Sequence, residues 1–265
     1  MRIIDVHTHI FPQKLVSPAT KSISVFYDGI PMQHQGSVQE LLETGEKFNV
    51  KYFLVFTCAT TTHQVRSIND FIIRSTAGDP RLLPAGTLHK GFDDFSQELE
   101  RLSRAGVKGI KLHPDFQKFN LDDEAMFPVY EEMGQRGMFL ITHAGDYRYP
   151  YSHPQRIARI AKLFPKLRCI AAHCGGWKHW DEARALLPPL ENVYIDTSST
   201  VGFGAYEAQK LALSAFDPSH IFFGTDFPMW DYQQELEALE ALRLPPQFLE
   251  DILYNNFAAF YGLPL

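Results

Sequence analysis

Eight short apolar segments recur along this chain roughly every 20 to 30 residues, and a stretch of helical character follows most of them. Parallel strands need a crossover connection, usually a helix, so this alternation is typical of a parallel sheet. Eight such units within about 250 residues have the size of a (β/α)8 barrel, the TIM barrel. We therefore predict an α/β barrel with strands at residues 2–7, 51–57, 82–88, 107–112, 138–143, 167–173, 192–197 and 220–225.

Local signals mark where the intervening helices begin and end. Ser37 and Glu40 form a capping box that opens a helix to about Phe48. Gly106 and Gly137 stand where helices end, each just before a predicted strand. Further helices are predicted at residues 63–77, 93–105, 123–136, 154–163, 180–187, 205–215 and 232–243, with one or two closing helices between residues 245 and 265.

A doubly wound sheet is the alternative arrangement of alternating strands and helices. Its first turn is usually rich in glycine, whereas residues 8–36 contain Pro12 and Pro18 and predict a long irregular loop. No linker, low-complexity tract or shift in composition divides the chain. The sequence therefore predicts one barrel domain over residues 1–265.

The charge balance and the cysteine content limit the partners and the compartment. The formal net charge is -6 and no basic cluster is present, which argues against a nucleic-acid binder. We find no signal peptide and no apolar segment of membrane-spanning length, and the three cysteines lack paired spacing, which suggests free thiols. We expect a cytoplasmic protein with small-molecule rather than nucleic-acid or membrane partners, and we leave a homo-oligomer open.

Polar side chains stand at the ends of five predicted strands. The first strand ends with His7 and His9, and residues two apart on a strand point to the same face. The other four strands end with Lys111 and His113, His143, His173, and Asp226. The same alternation predicts that Cys169, Ala171 and His173 share one face of the sixth strand. Catalytic groups of barrel enzymes come from the carboxyl ends of the strands, so we expect this set to meet at one rim.

Imidazole nitrogens combined with a carboxylate oxygen suit zinc, and also manganese, iron or nickel. Three or four such ligands leave a position open for water, whose pKa the ion lowers. Asp226 can then act both as a ligand and as the general base that takes the proton. Taken singly, each residue is better explained as a polar strand end, and only the whole set predicts a divalent-metal site.

Five segments carry a resemblance to a known family. The chain resembles the amidohydrolase superfamily in Asp5-Val6-His7-Thr8-His9, Gly109-Ile110-Lys111-Leu112-His113-Pro114, Thr142-His143-Ala144-Gly145-Asp146, Ala172-His173-Cys174-Gly175-Gly176 and Phe223-Gly224-Thr225-Asp226-Phe227-Pro228. The last segment and the short loops are most similar to the amidohydrolase 2 branch. The resemblance implies a hydrolase or lactonase, or else a non-oxidative decarboxylase of the aminocarboxymuconate-semialdehyde type.

The resemblance also implies roles for individual residues. His173 would be a ligand of a second ion or would orient the attacking water, while one ion would be held by His7, His9, His143 and Asp226. Lys111 resembles the strand-four lysine that binuclear members carbamylate to bridge two ions. Pairing of its ammonium with a substrate carboxylate or with Asp226 is the other interpretation, so one ion or two stays open.

Residues beyond the strand ends predict substrate contacts. Tyr147 and Arg148 follow the fifth strand, and Trp177 follows the sixth. A guanidinium fixed among aromatic rings recognises a carboxylate through two hydrogen bonds, so we expect an anionic substrate held by Arg148. His113 binds substrate or hydrogen-bonds nearby. A surface position for Arg148 and a purely structural role for Trp177 are the alternatives.

The sequence thus predicts a metal-dependent hydrolase, in which metal-activated water attacks an amide, lactone or ester of a small, carboxylate-bearing molecule. Zinc is the expected ion. The second hypothesis is a lyase, meaning a metal-dependent decarboxylase or hydratase of a small carboxylic acid. The third is a metal-binding protein without catalysis, which the presence of both Asp226 and His173 argues against.

Overall fold

Eight parallel strands form one sheet in which each strand pairs with its neighbours in chain order. The computed structural model describes every residue from Met1 to Leu265. The strands are β1 (Ile3–His9), β2 (Val50–Phe56), β3 (Leu82–Thr87), β4 (Gly109–Leu112), β5 (Phe139–Thr142), β6 (Cys169–Ala171), β7 (Val193–Asp196) and β8 (Ile221–Phe222). Backbone hydrogen bonds from Val6 to Phe223 (3.0 Å) and from Asp226 to His7 (2.9 Å) join β1 to the segment that directly follows β8. The predicted TIM barrel is confirmed.

Helices connect the strands around the barrel. The α-helices are α1 (Val16–Phe26), α2 (Val38–Lys47), α3 (Val65–Thr76), α4 (Phe95–Arg104), α5 (Pro114–Gln117), α6 (Phe127–Gln135), α7 (Pro154–Leu163), α8 (Trp180–Leu186), α9 (Tyr206–Ala215), α10 (Tyr232–Ala241), α11 (Pro246–Glu250) and α12 (Asn256–Tyr261). Short 3-10 helices occur at Gln13–Leu15, Thr62–Gln64, Glu124–Met126 and Pro218–His220, and a π-helical turn at Asp251–Asn255 joins α11 to α12. None of these helices combines the length and the apolar character needed to cross a membrane.

The predicted helix signals act as expected. Ser37 Oγ accepts a hydrogen bond from the backbone N–H of Glu40 (3.1 Å), which caps α2. The Glu40 carboxylate in turn accepts from the backbone N–H of Gln35 (2.8 Å) and of Gly36 (3.1 Å). Gly106 and Gly137 both have left-handed backbone, with φ of +82° and +68°, which ends the preceding helices.

The segment between β1 and β2 differs from the prediction, because part of the predicted irregular loop is the helix α1. Pro18 is the third residue of this helix. The first four N–H groups of a helix have no partner within it, so a proline there removes no helical hydrogen bond. The helix buries Val16 and packs the half-buried Ile23 and Phe26 beside a small aromatic cluster. Packing of these residues, rather than the proline content of the segment, therefore explains why this stretch is helical.

The amino-terminal end of the barrel is filled and closed. Ile4, Phe139 and Phe222 belong to a cluster of 15 buried residues that also contains residues of the closing helices. The ring of Phe222 meets that of Phe257 at 5.3 Å between centroids, and Phe139 meets Phe260 at 5.2 Å. Polar side chains can therefore gather only at the carboxyl end of the strands.

Candidate metal centre

His7 and His9 lie side by side at the end of β1, as the alternation predicted, with ring centroids 5.4 Å apart. Asp226 Oδ1 lies 3.3 Å from His7 Nε2 and 3.5 Å from His9 Nε2. One donor atom from each of these side chains falls within 4.8 Å of the others. Two imidazoles and a carboxylate around one point form a donor set that suits zinc or manganese. We call these three residues the metal centre.

His143 and His173 line the same cavity as the metal centre. His143 Nδ1 lies 2.9 Å from His173 Nε2, while His143 Nε2 is buried without a hydrogen-bond partner. It lies 3.9 Å from Asp115 Oδ2, and one donor atom from each of His143, His113 and Asp115 falls within 4.8 Å of the others. A buried polar atom without a partner costs about 1–3 kcal/mol of stability. A metal ion or a substrate atom that binds His143 Nε2 would therefore remove this cost.

The backbone brings His173 into the cavity in a way that strand alternation did not predict. β6 ends at Ala171; Cys169 and Ala171 pack in the large core cluster, whereas Ile170 packs in the cluster that fills the barrel. His173 therefore does not share a strand face with Cys169 and Ala171, and that prediction was wrong. Its φ of +59° and the +64° of Asp226 are left-handed, which turns the chain after the strand has ended.

Asp196, at the end of β7, supports the metal centre and was missed by the sequence interpretation. Its Oδ2 lies 2.9 Å from His7 Nδ1. Its Oδ1 accepts hydrogen bonds from the backbone N–H groups of His173 and Ser198, both at 3.1 Å. A carboxylate behind a metal-ligating histidine fixes the ring and its tautomer. The signal was available, because Asp196 is the next-to-last residue of the predicted strand 192–197.

Hydroxyl and indole groups hold the other oxygen of Asp226. Ser199 Oγ donates to Asp226 Oδ2 at 2.5 Å, and the indole N–H of Trp230 donates to Ser199 Oγ at 2.9 Å. Oδ1 thus faces the two histidines while Oδ2 is fixed by hydrogen bonding. The carboxylate is oriented before any ligand binds.

Lys111 is fully buried at the edge of the metal centre. Its Nζ lies 3.0 Å from His7 Nε2 and 4.6 Å from the centroid of the Phe56 ring. Burial lowers the pKa of this amine below its ordinary value of 10.5. A carbamate or a substrate-pairing ammonium at Lys111 stays a prediction.

Burial sets the charge states of the site. It lowers the pKa of the His173 imidazole to about 3. It lowers the pKa values of the other rings well below 6.5, namely those of His7, His9, His113 and His143. Burial also raises the pKa of Asp226 to about 7. The imidazoles are therefore neutral at neutral pH, which is the form that binds metal.

Arg148 and Tyr147 lie at the mouth of the barrel, in contact with the end of α1. Two guanidinium nitrogens of Arg148 bind the Asp146 carboxylate at 3.0 and 2.8 Å, and a third donates to the backbone carbonyl of Phe26. The Tyr147 hydroxyl donates to Asp28 at 3.1 Å. The structure thus gives the Arg148 donors protein partners, and contact of either residue with a substrate stays a prediction.

His113 forms part of the cavity wall, whereas Trp177 packs behind it against Tyr27. The Trp177 ring meets Tyr27 edge-on at 5.3 Å, and its backbone N–H donates to Ala144 at 2.6 Å. Gly145 permits this approach, because a Cβ there would lie 2.5 Å from the Trp177 carbonyl oxygen. The His113 ring stacks on His143 at 4.0 Å, and its Nε2 lies 3.2 Å from the Tyr27 hydroxyl. His113 lines the cavity directly.

Solved structures with the same fold include enzymes of two reaction classes. The 5-carboxyvanillate decarboxylase of Sphingomonas paucimobilis is 17% identical, with a TM-score of 0.75 over 99% of each chain. A probable 2-pyrone-4,6-dicarboxylic acid hydrolase from Acinetobacter baumannii is 15% identical, with a TM-score of 0.75 over 99% of this chain and 100% of the other. A dihydroxybenzoic acid decarboxylase from a Polaromonas species, with bound manganese and 2-nitroresorcinol, is 14% identical, with a TM-score of 0.72 over 98% and 96%. At these identities the likeness establishes the fold alone.

The family assignment rests on the sequence over nearly its whole length. A search of curated protein sequences found no significant match. A family model described as amidohydrolase matches residues 4–263, a range that contains all five segments on which the resemblance depends. This chain therefore belongs to the amidohydrolase 2 family of metal-dependent enzymes.

Proposed function

We propose that this enzyme is a hydrolase that cleaves an amide, lactone or ester bond in a small, carboxylate-bearing molecule. The observation that supports this most is the metal centre, where His7 and His9 lie within 3.5 Å of Asp226 Oδ1. When bound there, a divalent cation would polarise a substrate oxygen and lower the pKa of water. We propose zinc as that ion, at one per chain, with His143, which lines the same cavity, as the fourth ligand. Manganese, iron and nickel are the alternatives.

The residues around the centre supply the proton transfers. Asp226 Oδ1 faces the two histidines, so it can take the proton of the attacking water, while Ser199 holds Oδ2. His173 is fixed through Nδ1, which lies 3.0 Å from Ser198 Oγ. Its Nε2 points toward His143, from where we propose that it orients the water or donates to the developing oxyanion.

A decarboxylase is the second candidate, and the opposite wall of the cavity favours it. That wall is apolar and aromatic, and its residues Ile23 and Phe116 continue into the larger groove beside the cavity. Such a surface suits the flat ring of an aromatic acid. In this reaction the bond between ring and carboxylate carbon would break as carbon dioxide leaves, and Asp226 would deliver the proton that forms the new C–H bond.

Arg148 enters the proposal as a residue that positions α1. Its guanidinium joins Asp146 to the carbonyl of Phe26, and α1 contributes Ile23 to the cavity. Arg148→Ala should therefore raise KM without changing metal content. We also propose that the chain works as one domain, since its first strand hydrogen-bonds to the segment that follows its last strand. We propose that it acts in the cytoplasm, since its three cysteines are free thiols.

Metal reconstitution with a substrate panel tests the function. Purified protein is stripped with a chelator, reloaded with zinc or manganese, and assayed on aryl lactones, aryl amides and hydroxybenzoic acids. We expect acid release from a lactone or amide only after reloading. His9→Ala should lose the bound ion, whereas His63→Ala, a control at an exposed histidine outside the cavity, should keep it.

Each outcome separates the candidates. Carbon dioxide release from a hydroxybenzoic acid without lactone or amide cleavage would replace the hydrolase by the decarboxylase. Failure of wild-type protein to bind either ion would overturn both. A second equivalent of metal that binds only in bicarbonate would show the carbamate at Lys111.

A further inference from the structure

The space around the metal centre is too small for an organic molecule. The histidines and Asp226 border a void of about 20 Å³, which holds one water or one ion. An adjoining groove of about 750 Å³ shares His9, Ile23 and Phe116 with this void. A molecule that reaches Asp226 from the groove must therefore pass His9, with most of its atoms in the groove.

The groove runs along one face of α3. Ile68, Phe71 and Arg74 line it, preceded by Gln64 and Ser67. The ten residue steps from position 64 to position 74 span about 15 Å at the rise of an α-helix. Phe11, Leu15 and Phe26 line the groove from the segment after β1. The groove is therefore long, and much of its wall is apolar.

Three cations stand on the wall of this groove, namely Lys14, Arg74 and Lys118. None of them takes part in a salt bridge, although Arg66 on the same helix α3 pairs with Asp94 at 3.0 Å. Asp115 is the one carboxylate in the lining, and it is buried and accepts a hydrogen bond from Ser152. The exposed charge of the groove is thus positive.

We propose that the substrate is elongated and carries a second anionic group, a carboxylate or a phosphate, at a distance from its reacting end. The reacting group lies at His9, and the apolar body packs along Phe26 and Phe71. The distal anion pairs with the cations of the groove wall that it reaches, among Arg74, Lys14 and Lys118. The reacting end rests on the proposed function, whereas the distal subsite depends only on the shape and charge of the groove.

Ligand binding tests the distal subsite without any need for turnover. Calorimetry compares biphenyl-4,4′-dicarboxylate with biphenyl-4-carboxylate on zinc-loaded and metal-free protein. A charge-assisted hydrogen bond predicts about tenfold tighter binding of the dicarboxylate. This difference in affinity should narrow as salt is added. Arg74→Gln and Lys118→Gln should each reduce the difference in affinity between the two compounds. Arg66→Gln, on the same helix as Arg74, should leave that difference unchanged.

A steric block provides the second variant. Ser67 is exposed and lines the groove, so Ser67→Trp should fold and should weaken both biphenyl compounds about tenfold while sparing benzoate. Equal affinity of the two biphenyl compounds for wild-type protein would overturn the subsite. So would a wild-type dimer that Ser67→Trp converts to monomer, because a second copy would then cover the groove. If the dicarboxylate binds tightly but the reloaded enzyme turns over no compound of the substrate panel, the subsite is supported and the proposed function is rejected.

Discussion

At the amino-terminal end of the barrel, rings pack against rings, and Phe222, Phe257 and Phe260 fill the space between the strands and the closing helices. At the carboxyl end, the buried side chains are ionisable, and His173, Ser199 and Asp226 have left-handed backbone with φ between +58° and +64°. A non-glycine residue in that conformation costs about 1–3 kcal/mol. One end therefore stabilises the fold, while the other holds an arrangement that is costly in free energy.

The carboxyl end tolerates this cost because its polar groups hold one another. Asp196 contacts His7 and the backbone of His173, and Ser199 fixes Asp226. Four variants test whether chemistry and stability are separated between the two ends in this way.

Asp226→Asn should have the largest effect. The amide keeps the shape of the carboxylate but cannot accept a proton, so kcat should fall by roughly 10²–10⁴. Steady-state kinetics on a substrate from the panel, together with metal analysis, measure this. Asp93→Asn, at an exposed acid after β3, is the matched control. A fall of less than tenfold with the metal retained would assign the proton transfer to another residue, first of all His173.

Phe257→Ala should affect stability and spare the chemistry. Phe257 is 1% exposed, and a buried Phe→Ala change costs about 3–5 kcal/mol of unfolding free energy. Urea denaturation measures this loss, while kcat and metal content below the melting temperature should match the wild type. Leu163→Ala, at a leucine that is 49% exposed, should change little. Loss of metal from folded Phe257→Ala protein would break the separation between the ends.

Asp196→Asn should weaken metal binding without removing a ligand. Loss of a carboxylate behind a ligating histidine typically costs about 10–100-fold in metal affinity. Competition with a chromogenic chelator gives the dissociation constant. Asp217→Asn, at an exposed acid that caps the 3-10 helix before β8, controls for general effects of the substitution. Unchanged metal affinity would show that Asp196 only supports the backbone of His173.

Glu235→Gln should give the smallest effect, visible as a pH dependence. Glu235 is fully buried in α10, and burial raises the pKa of its carboxyl well above 4.5. The folded protein keeps this proton after the unfolded chain has released it, so wild-type stability falls as the pH rises above about 4.5. Urea denaturation in the presence of chelator should show that the free energy of unfolding of Glu235→Gln rises relative to that of the wild type between pH 5 and pH 8. The exposed Glu237→Gln should show no such gain, and an equal difference at both pH values would contradict the raised pKa.

Sequence patterns were sufficient for the barrel and for the position of several polar residues in the cavity. The recurrence of short apolar segments located eight strands. Polar residues at the ends of these segments predicted that His7, His9, His143 and Asp226 lie together, and all four line the cavity. These signals are local, since a strand or a helix cap depends on neighbours within a few residues. The prediction from strand alternation failed for His173, because β6 ends two residues before it.

The tertiary structure alone decided which groups meet. His7 and Asp196 are 189 residues apart, and Arg148 and the Phe26 carbonyl are 122 apart, so no local pattern predicts either contact. The helix α1, the groove beside α3 and the left-handed turns at His173 and Asp226 likewise depend on packing between distant segments. The sequence by itself determined the order of strands and the residue types at their ends, because these follow from local periodicity. The partners of these residues, and with them the orientation of each side chain in the cavity, required the assembled barrel.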